Sequence, residues 1–149
     1  ILGHRGLGLE TYPISAIAMT NSVVCFVEND TMFESFYFNP EFVIKLMMFY
    51  SKELRAIEVR MKYMTQMVLH DKIAYSLLYL KEVFGYEPDE QTLNVVIRFA
   101  DIAELSGTNE EQVISALSDF ENDKLIQKES EKIRITNEEG IRKMVDLYK

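Results

Sequence analysis

The chain has 149 residues, of which 48% are hydrophobic, so it can bury one or two small cores. Sixteen basic residues stand against twenty-four acidic ones, and the net charge of -8 repels a polyanion on average. No apolar run is long enough for a membrane span, and the first nine residues lack the layout of a signal peptide. These features predict a cytoplasmic protein without membrane contact, in which any binding of DNA depends on a local basic patch.

Residues 1–38 contain short apolar runs that are typical of strands. The runs at residues 14–19 and 23–27 flank a turn signal at residues 20–22 and predict a β-hairpin. Two strands cannot bury both faces and the chain opens at Ile1 without a methionine, so we expect further residues upstream. The single cysteine, Cys25, is interpreted as a buried apolar filler, with a redox switch as the alternative.

A short helix is predicted to begin at residues 28–30 and to end before Asn39-Pro40. From residue 42 to about residue 68 there is no proline or glycine, and apolar residues recur at alternating spacings of four and three. Such a helix measures roughly 40 Å at about 1.5 Å per residue and is too long for this chain to bury. We predict that it pairs with its copy in a second subunit; the alternative is that it packs on the chain's own sheet. The predicted dimer interface is Val43, Met47, Tyr50, Leu54, Ile57, Met61 and Met64.

The pattern breaks at His70-Asp71, and an amphipathic helix is predicted from residue 72 to Phe84-Gly85. Residues 86–92 are polar and rich in turn formers, and residues 93–97 predict a strand. At the end of the chain, Asn137 is predicted to cap a last helix over residues 138–149.

Residues 99–135 predict a helix-turn-helix followed by a hairpin. An apolar run closes at Ser106-Gly107, and a second helical pattern begins at Thr108-Asn109, with Glu111 at capping-box spacing from Thr108. A hairpin follows, since residues 132–135 alternate strictly between polar and apolar. This order indicates a winged helix-turn-helix, and the alternative is a small α+β module that only packs.

Catalysis is not predicted, and no cofactor is identified. His4 and His70 lie on different segments, there is no Cys-x-x-Cys pair, and the adjacent Glu110 and Glu111 diverge by about 100° on a helix.

The succession of elements resembles the second part of a bacterial regulator of the Crp/Fnr family. The residues that match the family motif of a glycine turn, an apolar core and a glutamate before the wing are Leu105-Ser106-Gly107-Thr108, Val113, Leu117, Glu121 and Leu125-Ile126. The resemblance implies an α+β fold with strands of a partial β-roll like that of cyclic-nucleotide-binding domains. The implied domains are the end of an effector-binding β-roll (1–38), a long dimerisation helix (39–69) and a winged helix-turn-helix domain (70–149).

The same comparison argues against cyclic AMP as the effector. Family members that bind cyclic nucleotides use a glutamate on the ribose and an arginine on the phosphate, and these positions hold His4 and Ile14 here. An isoleucine cannot pair with a phosphate, although Arg5 could substitute from the neighbouring position. The effector-pocket candidates are His4, Arg5, Ile14 and Ser15, and the effector is unknown.

The implied partner is palindromic double-stranded DNA, yet the recognition helix is acidic. Glu110 and Ser115 stand where family members commonly have arginine, whereas Glu111 matches a family glutamate that accepts from cytosine N4. Residues 109–123 include five acids and no base. The predicted DNA-binding residues are Arg98, Asn109, Glu110, Glu111, Gln112, Ser115, Lys128, Lys132 and Arg134.

Two functions therefore stay open. The first is a homodimeric transcription regulator of the Crp/Fnr type, gated by a small molecule other than cyclic AMP and in contact with RNA polymerase. The second is a winged-helix module that has lost DNA affinity and binds a protein through its acidic helix. The motif favours the first and the charge favours the second.

Overall fold

The computed structural model describes residues 15–18, 21–129 and 132–148. Six helices and one two-stranded sheet lie in these ranges, which confirms the predicted α+β class as a helix-rich fold with a small antiparallel sheet. The elements are α1 (Asn29–Phe38), α2 (Pro40–Gln66), α3 (Leu69–Phe84), α4 (Phe99–Ser106), α5 (Glu110–Asn122), β1 (Ile126–Glu129), β2 (Lys132–Ile135) and α6 (Glu138–Asp146). The chain divides into two compact units, Ile1–Arg55 and Ala56–Lys149. The predicted domain limits at residues 38 and 69 stay predictions.

In the amino-terminal unit, Asn39 connects α1 to α2. Its side-chain oxygen accepts a hydrogen bond from the Phe42 N–H at 3.0 Å, and Pro40 takes the first helical position, where a missing N–H costs nothing. The Phe36 ring lies 5.9 Å from the Phe42 ring and 5.9 Å from the Phe33 ring. The short helix predicted before Asn39-Pro40 is thus confirmed.

Residues 15–18 and 21–28 form no strand, so the predicted hairpin is not present in these ranges. The side chain of Ile17 is 90% exposed, and Val23 is fully exposed. A hairpin is stable only when a further layer covers one of its faces, and these apolar side chains are uncovered. Cys25 is also exposed, which corrects its interpretation as a buried filler. Ile14 and residues 19–20 lie outside the described residues.

The long helix is confirmed, since α2 runs without interruption for 27 residues. Its break from α3 falls at Met67 and Val68, and His70 and Asp71 lie inside the first turn of α3. Tyr148 connects this junction to the last turn of the chain. Its hydroxyl donates to Asp71 Oδ2 at 2.6 Å and accepts from the Val68 N–H at 3.5 Å.

The carboxy-terminal unit is built around the apolar face of α3. Ile73, Leu77 and Leu80 lie on this face at helical spacing and are fully buried. The other elements contribute buried residues to the same cluster, among them Ile102, Val113, Leu117, Phe120, Ile126, Ile133, Ile135 and Ile141. Each of these large side chains contributes about 1.5–3 kcal/mol when it leaves water, so this cluster is the main source of stability.

The wing is the antiparallel hairpin of β1 and β2, as predicted. Ile126 pairs with Ile135, and Glu129 pairs with Lys132. The side chains of Ile126, Ile133 and Ile135 are buried, so the alternating pattern places one face of the hairpin on the core.

Residues 93–97 do not form the predicted strand. They contribute a single isolated bridge, from Leu93 to Tyr86. Leu93, Val95 and Ile97 are buried, whereas Asn94 and Val96 are exposed. The alternation of buried and exposed residues is therefore that of an extended segment with one buried side. Such burial does not require the hydrogen-bonded ladder of a strand.

The last helix, α6, starts as predicted. The Asn137 side-chain oxygen accepts from the Gly140 N–H at 2.9 Å. The helix ends at Asp146, three residues before the predicted limit. Among the described residues, no helix combines the length and apolar character needed to cross a membrane.

Glu138 joins α6 to α3. Its carboxylate accepts hydrogen bonds from Lys81 Nζ at 3.0 Å, from Arg142 Nε at 2.8 Å and from the Tyr86 hydroxyl at 2.8 Å. Burial raises the pKa of this carboxyl, but the three hydrogen bonds outweigh burial and lower the pKa to about 2. Because the folded pKa lies below the unfolded value, the ionised carboxylate stabilises the fold above about pH 4.5, and this stabilisation is lost as the pH falls towards 2.

The variant Glu138→Gln should lower the free energy of unfolding by about 1.5–3 kcal/mol near neutral pH, because three donors lose a charged acceptor. The matched control is Glu139→Gln, which removes only an exposed pair with Lys143 and should cost about 0.3–0.5 kcal/mol. Thermal unfolding measures both variants. The loss at Glu138 should shrink at about pH 3, and a loss that is unchanged there would contradict the assigned pKa.

Candidate nucleic-acid interface

Residues 107–109 form the turn between α4 and α5, and Gly107 sets its geometry. Gly107 has a left-handed backbone with φ 64° and ψ 43°, a conformation that strains other residue types. The following N–H, of Thr108, donates to the Ala103 carbonyl at 3.0 Å and closes α4. The predicted helix-turn-helix is confirmed by this arrangement.

Asn109 caps α5, whereas the sequence pattern predicted Thr108. The Asn109 Oδ1 atom accepts from the Gln112 N–H at 2.9 Å. The Thr108 hydroxyl donates instead to the side-chain oxygen of Gln112. The correction has a simple cause: Asn109 has the extended backbone of a capping residue, and α5 begins one residue after it.

The two faces of α5 have opposite character. Val113, Leu117 and Phe120 are buried against the core. The predicted base-reading residues Asn109, Glu111, Gln112 and Ser115 are all exposed, and so is Glu110, which was predicted at the DNA interface. Glu110 and Glu111 lie in the first turn, where acids are also favoured by the helix dipole, so their presence is explained without any ligand.

Arg98 lies just before α4 and is paired locally. Its guanidinium donates to Asp101 through two nitrogens, at 2.5 and 3.0 Å, and its backbone N–H donates to the same carboxylate at 3.1 Å. The side-chain hydrogen bond from Arg98 is the largest contribution to the lowered pKa of Asp101. Arg98 therefore closes the amino-terminal end of α4, and its side chain is still 79% exposed.

The wing cations, which we define as Lys128, Lys132 and Arg134, each face an acid of the same chain. Lys128 Nζ lies 3.1 Å from Glu121 Oε2, and the Lys128 N–H donates to Glu121 Oε1 at 3.0 Å. These contacts, the backbone hydrogen bond first, lower the pKa of Glu121. Lys132 Nζ forms an ion pair with Glu87.

Arg134 has the largest set of partners among the wing cations. Its Nε atom donates to Gln91 Oε1 at 3.0 Å and lies 3.8 Å from Asp89 Oδ2. Its Nη1 atom lies 3.6 Å from Glu129 Oε1. The predicted phosphate donors of the wing are thus members of ion pairs, and the register places Lys132 and Arg134 on one face of the hairpin and Lys128 on the other.

The acids of residues 86–92 that pair with the wing cations were not identified from the sequence, because these residues were predicted only as a polar turn. A usable signal was present, because Glu87, Asp89 and Gln91 stand at alternate positions just before residues 93–97, in which apolar residues also alternate.

A second missed contact joins α3 to α5: His70 Nε2 lies 2.9 Å from Asp119 Oδ2. The sequence offered no signal for that pair.

The remaining predicted sites are placed only in part. His4, Arg5 and Ile14 lie outside the described residues. Ser15 is exposed, in a segment without regular secondary structure.

The predicted dimer residues lie along α2. Met47, Leu54 and Met61 are 66%, 58% and 61% exposed, and Ile57 is 40% exposed. Val43, Tyr50 and Met64 are partly buried.

Residues 71–144 match the family described as the Crp-like helix-turn-helix domain. This part of the chain is a Crp-like helix-turn-helix domain. It is the DNA-binding domain of Crp/Fnr-type transcription regulators, and the predicted relationship to that family is confirmed. A comparison with curated protein sequences gave no match.

Solved structures share the fold of this chain. TTHA1359, a CRP/FNR-family transcriptional regulator from Thermus thermophilus, is 19% identical with a TM-score of 0.67, over 74% of this chain and 57% of that chain. FixK2 from Bradyrhizobium japonicum is 18% identical with a TM-score of 0.70, over 79% and 59%. A CooA mutant from Carboxydothermus hydrogenoformans is 13% identical with a TM-score of 0.66, over 78% and 54%. The chain spans a little over half of the length of these proteins.

The variant Asn109→Ala should destabilise the domain by about 1 kcal/mol, because the Gln112 N–H loses its acceptor at the start of α5. Asn109→Asp should keep the stability, since a carboxylate caps equally well and interacts favourably with the helix dipole. Urea unfolding at equilibrium measures the difference. If Thr108→Ala costs more than Asn109→Ala, then Thr108 is the cap after all.

Proposed function

We propose that this chain is part of a homodimeric transcription regulator that binds palindromic double-stranded DNA. One observation carries the proposal: in a Crp-like helix-turn-helix domain, Glu111 and Ser115 are exposed across the second helix from its buried face, and Asn109 and Gln112 are exposed at its start. In such domains the second helix enters the major groove, and the wing contacts the flanking backbone. The proposal includes a cytoplasmic location, an effector other than cyclic AMP and contact with RNA polymerase, and it assigns no catalysis.

The hydrogen bonds of α5 limit how it can read bases. The side-chain oxygens of Asn109 and Gln112 each accept one hydrogen bond within the domain, from a backbone N–H and from the Thr108 hydroxyl. Each oxygen keeps one lone pair, so both amides offer two donors and one remaining acceptor site to the bases of the major groove. Glu111 has only acceptor atoms when it is ionised and suits the amino group of cytosine.

We assign dimerisation to α2. Its exposed apolar seam recurs at the spacing of a two-helix coiled coil, and such a seam on a monomer is an aggregation hazard. A two-fold axis along this helix pair would present two copies of α5 to half-sites about 34 Å apart. The two-fold symmetry of the protein is the reason to expect a palindrome.

The double variant Leu54→Asp, Ile57→Asp should dissociate the dimer, because it places four carboxylates in one apolar seam. The matched control is Ala56→Asp, Val59→Asp, which adds the same charge on the opposite side of α2 at about 100° per residue. Sedimentation equilibrium reports the mass. A dimer that survives the first variant, or dissociates equally in the control, would exclude this seam as the interface.

DNA binding itself is tested by selecting bound genomic fragments at low salt and measuring the affinity for the best site. The variant Glu110→Arg should strengthen binding of all duplexes by about 10-fold or more, because a repulsive charge is replaced by a phosphate donor. Glu34→Arg on α1 makes the same change in net charge outside the winged domain and should have a smaller effect. The absence of any enriched palindrome in wild type and variant would reject the proposal.

A second candidate function has its own observation. The exposed face of α5 carries acids and no base, and each wing cation is paired with an acid. Such a face suits a basic protein partner better than DNA. Failure of the DNA selection would favour this protein-interaction role.

A further inference from the structure

The acidic loop, which we define as residues 86–92, packs along the wing strand β2. The Ile135 N–H donates to the Gln91 carbonyl at 2.9 Å, and the Leu93 N–H donates to the Ile133 carbonyl at 3.0 Å. These backbone bonds fix the loop beside the strand that carries two of the wing cations.

The loop is also fixed internally. The Asp89 carboxylate accepts from the N–H groups of Gln91 and Thr92 at 3.1 and 2.9 Å and from the Thr92 hydroxyl at 2.6 Å. The hydroxyl bond is the main cause of a pKa for Asp89 of about 2. Thr92 is buried, and the Glu87 N–H donates to its carbonyl at 2.8 Å. The position of the Glu87 backbone is therefore set by the loop and does not depend on the Glu87 side chain.

Two acids of the loop differ in what they contact. The Glu87 carboxylate forms an ion pair with Lys132 and is 29% exposed. Glu90 belongs to the same turn, since its N–H donates to the Glu87 carbonyl at 2.9 Å, but its side chain is exposed and makes no ion pair within the ranges that the structure describes. The chain thus contains a paired acid and a matched unpaired one three residues apart.

We propose that Glu87 competes with DNA phosphate for Lys132, so that the acidic loop sets the affinity and the salt dependence of the wing contact. This inference rests on the proposed DNA-binding function. A phosphate that binds Lys132 must compete with an acceptor of equal sign that is already in contact. While the pair persists, the Lys132 charge is largely compensated within the protein, so fewer counterions are released when DNA binds.

The experiment compares Glu87→Gln with Glu90→Gln, which remove the same charge from the same loop. Both keep the side-chain length, so general electrostatics is matched and only the contact with Lys132 differs. The duplex is the best selected site, with an unrelated duplex of equal length beside it. Circular dichroism and thermal unfolding establish that each variant is folded.

Glu87→Gln should bind both duplexes more tightly than Glu90→Gln, with a salt slope steeper by about 0.9 per protomer. Between about 50 and 200 mM salt, the advantage of Glu87→Gln should therefore shrink by about 3.5-fold per protomer. The advantage should vanish when Lys132→Gln is added to both proteins, which assigns the effect to that lysine.

Other outcomes separate the two hypotheses. If wild type binds a palindrome and the two loop variants behave alike, DNA binding stands and the competition is wrong. An advantage of Glu87→Gln that survives the Lys132→Gln change also overturns the competition. If no protein binds any duplex at low salt, the proposed function and this inference both fail.

Discussion

The burial of one face of α5 is the constraint on which the candidate interface depends. Val113, Leu117 and Phe120 are at helical spacing and must leave water together, and the apolar face of α3 receives them. Once that face, which also includes Ala116, is buried, the rotation of the helix is set, and side chains across the helix from it, such as Glu111 and Ser115, point outward. The contact of His70 with Asp119 and the cap at Asn109 refine this orientation, but they add little to the force that creates it.

The electrostatics of the domain follow a different rule, which is local compensation. The chain is acidic, and its few cations in the wing lie beside acids contributed by the acidic loop, by the end of α5 and by β1. Partly exposed pairs of this kind add little stability. Their main effect is that they reduce the positive charge available to a ligand. Nonspecific binding to DNA is almost entirely a matter of free charge, whereas reading base edges is not. When the cations of a winged domain are compensated by acids, nonspecific DNA binding therefore loses a larger share of its free energy than specific binding does.

The parts of the fold that could be read from the sequence are those set by local chemistry. Gly107 marks a left-handed turn, and Asn137 caps a helix. The apolar repeat predicts α2 without information on what packs against it. Contacts between distant residues were out of reach: the pairing of Glu87 with Lys132 joins positions 45 residues apart. The hairpin expected around residues 20–22 failed for a related reason, because strand propensity becomes a strand only where a second layer covers it. The segment at residues 93–97 shows the converse, since it is covered by the core and still forms no ladder.

In α5, one property could be predicted from the sequence and another could not. The apolar spacing predicted which residues are exposed, whereas the hydrogen bonds of each exposed group are known only from the structure. Gln112 illustrates the difference: the sequence shows an amide with donors and an acceptor, but in the folded domain the acceptor is engaged by Thr108. Hydrogen bonding within the first turn therefore orients the Gln112 side chain and engages part of its acceptor capacity before any ligand arrives. A helix without positive charges has more need of such preorganisation, because it must obtain its binding energy from correctly placed neutral hydrogen bonds.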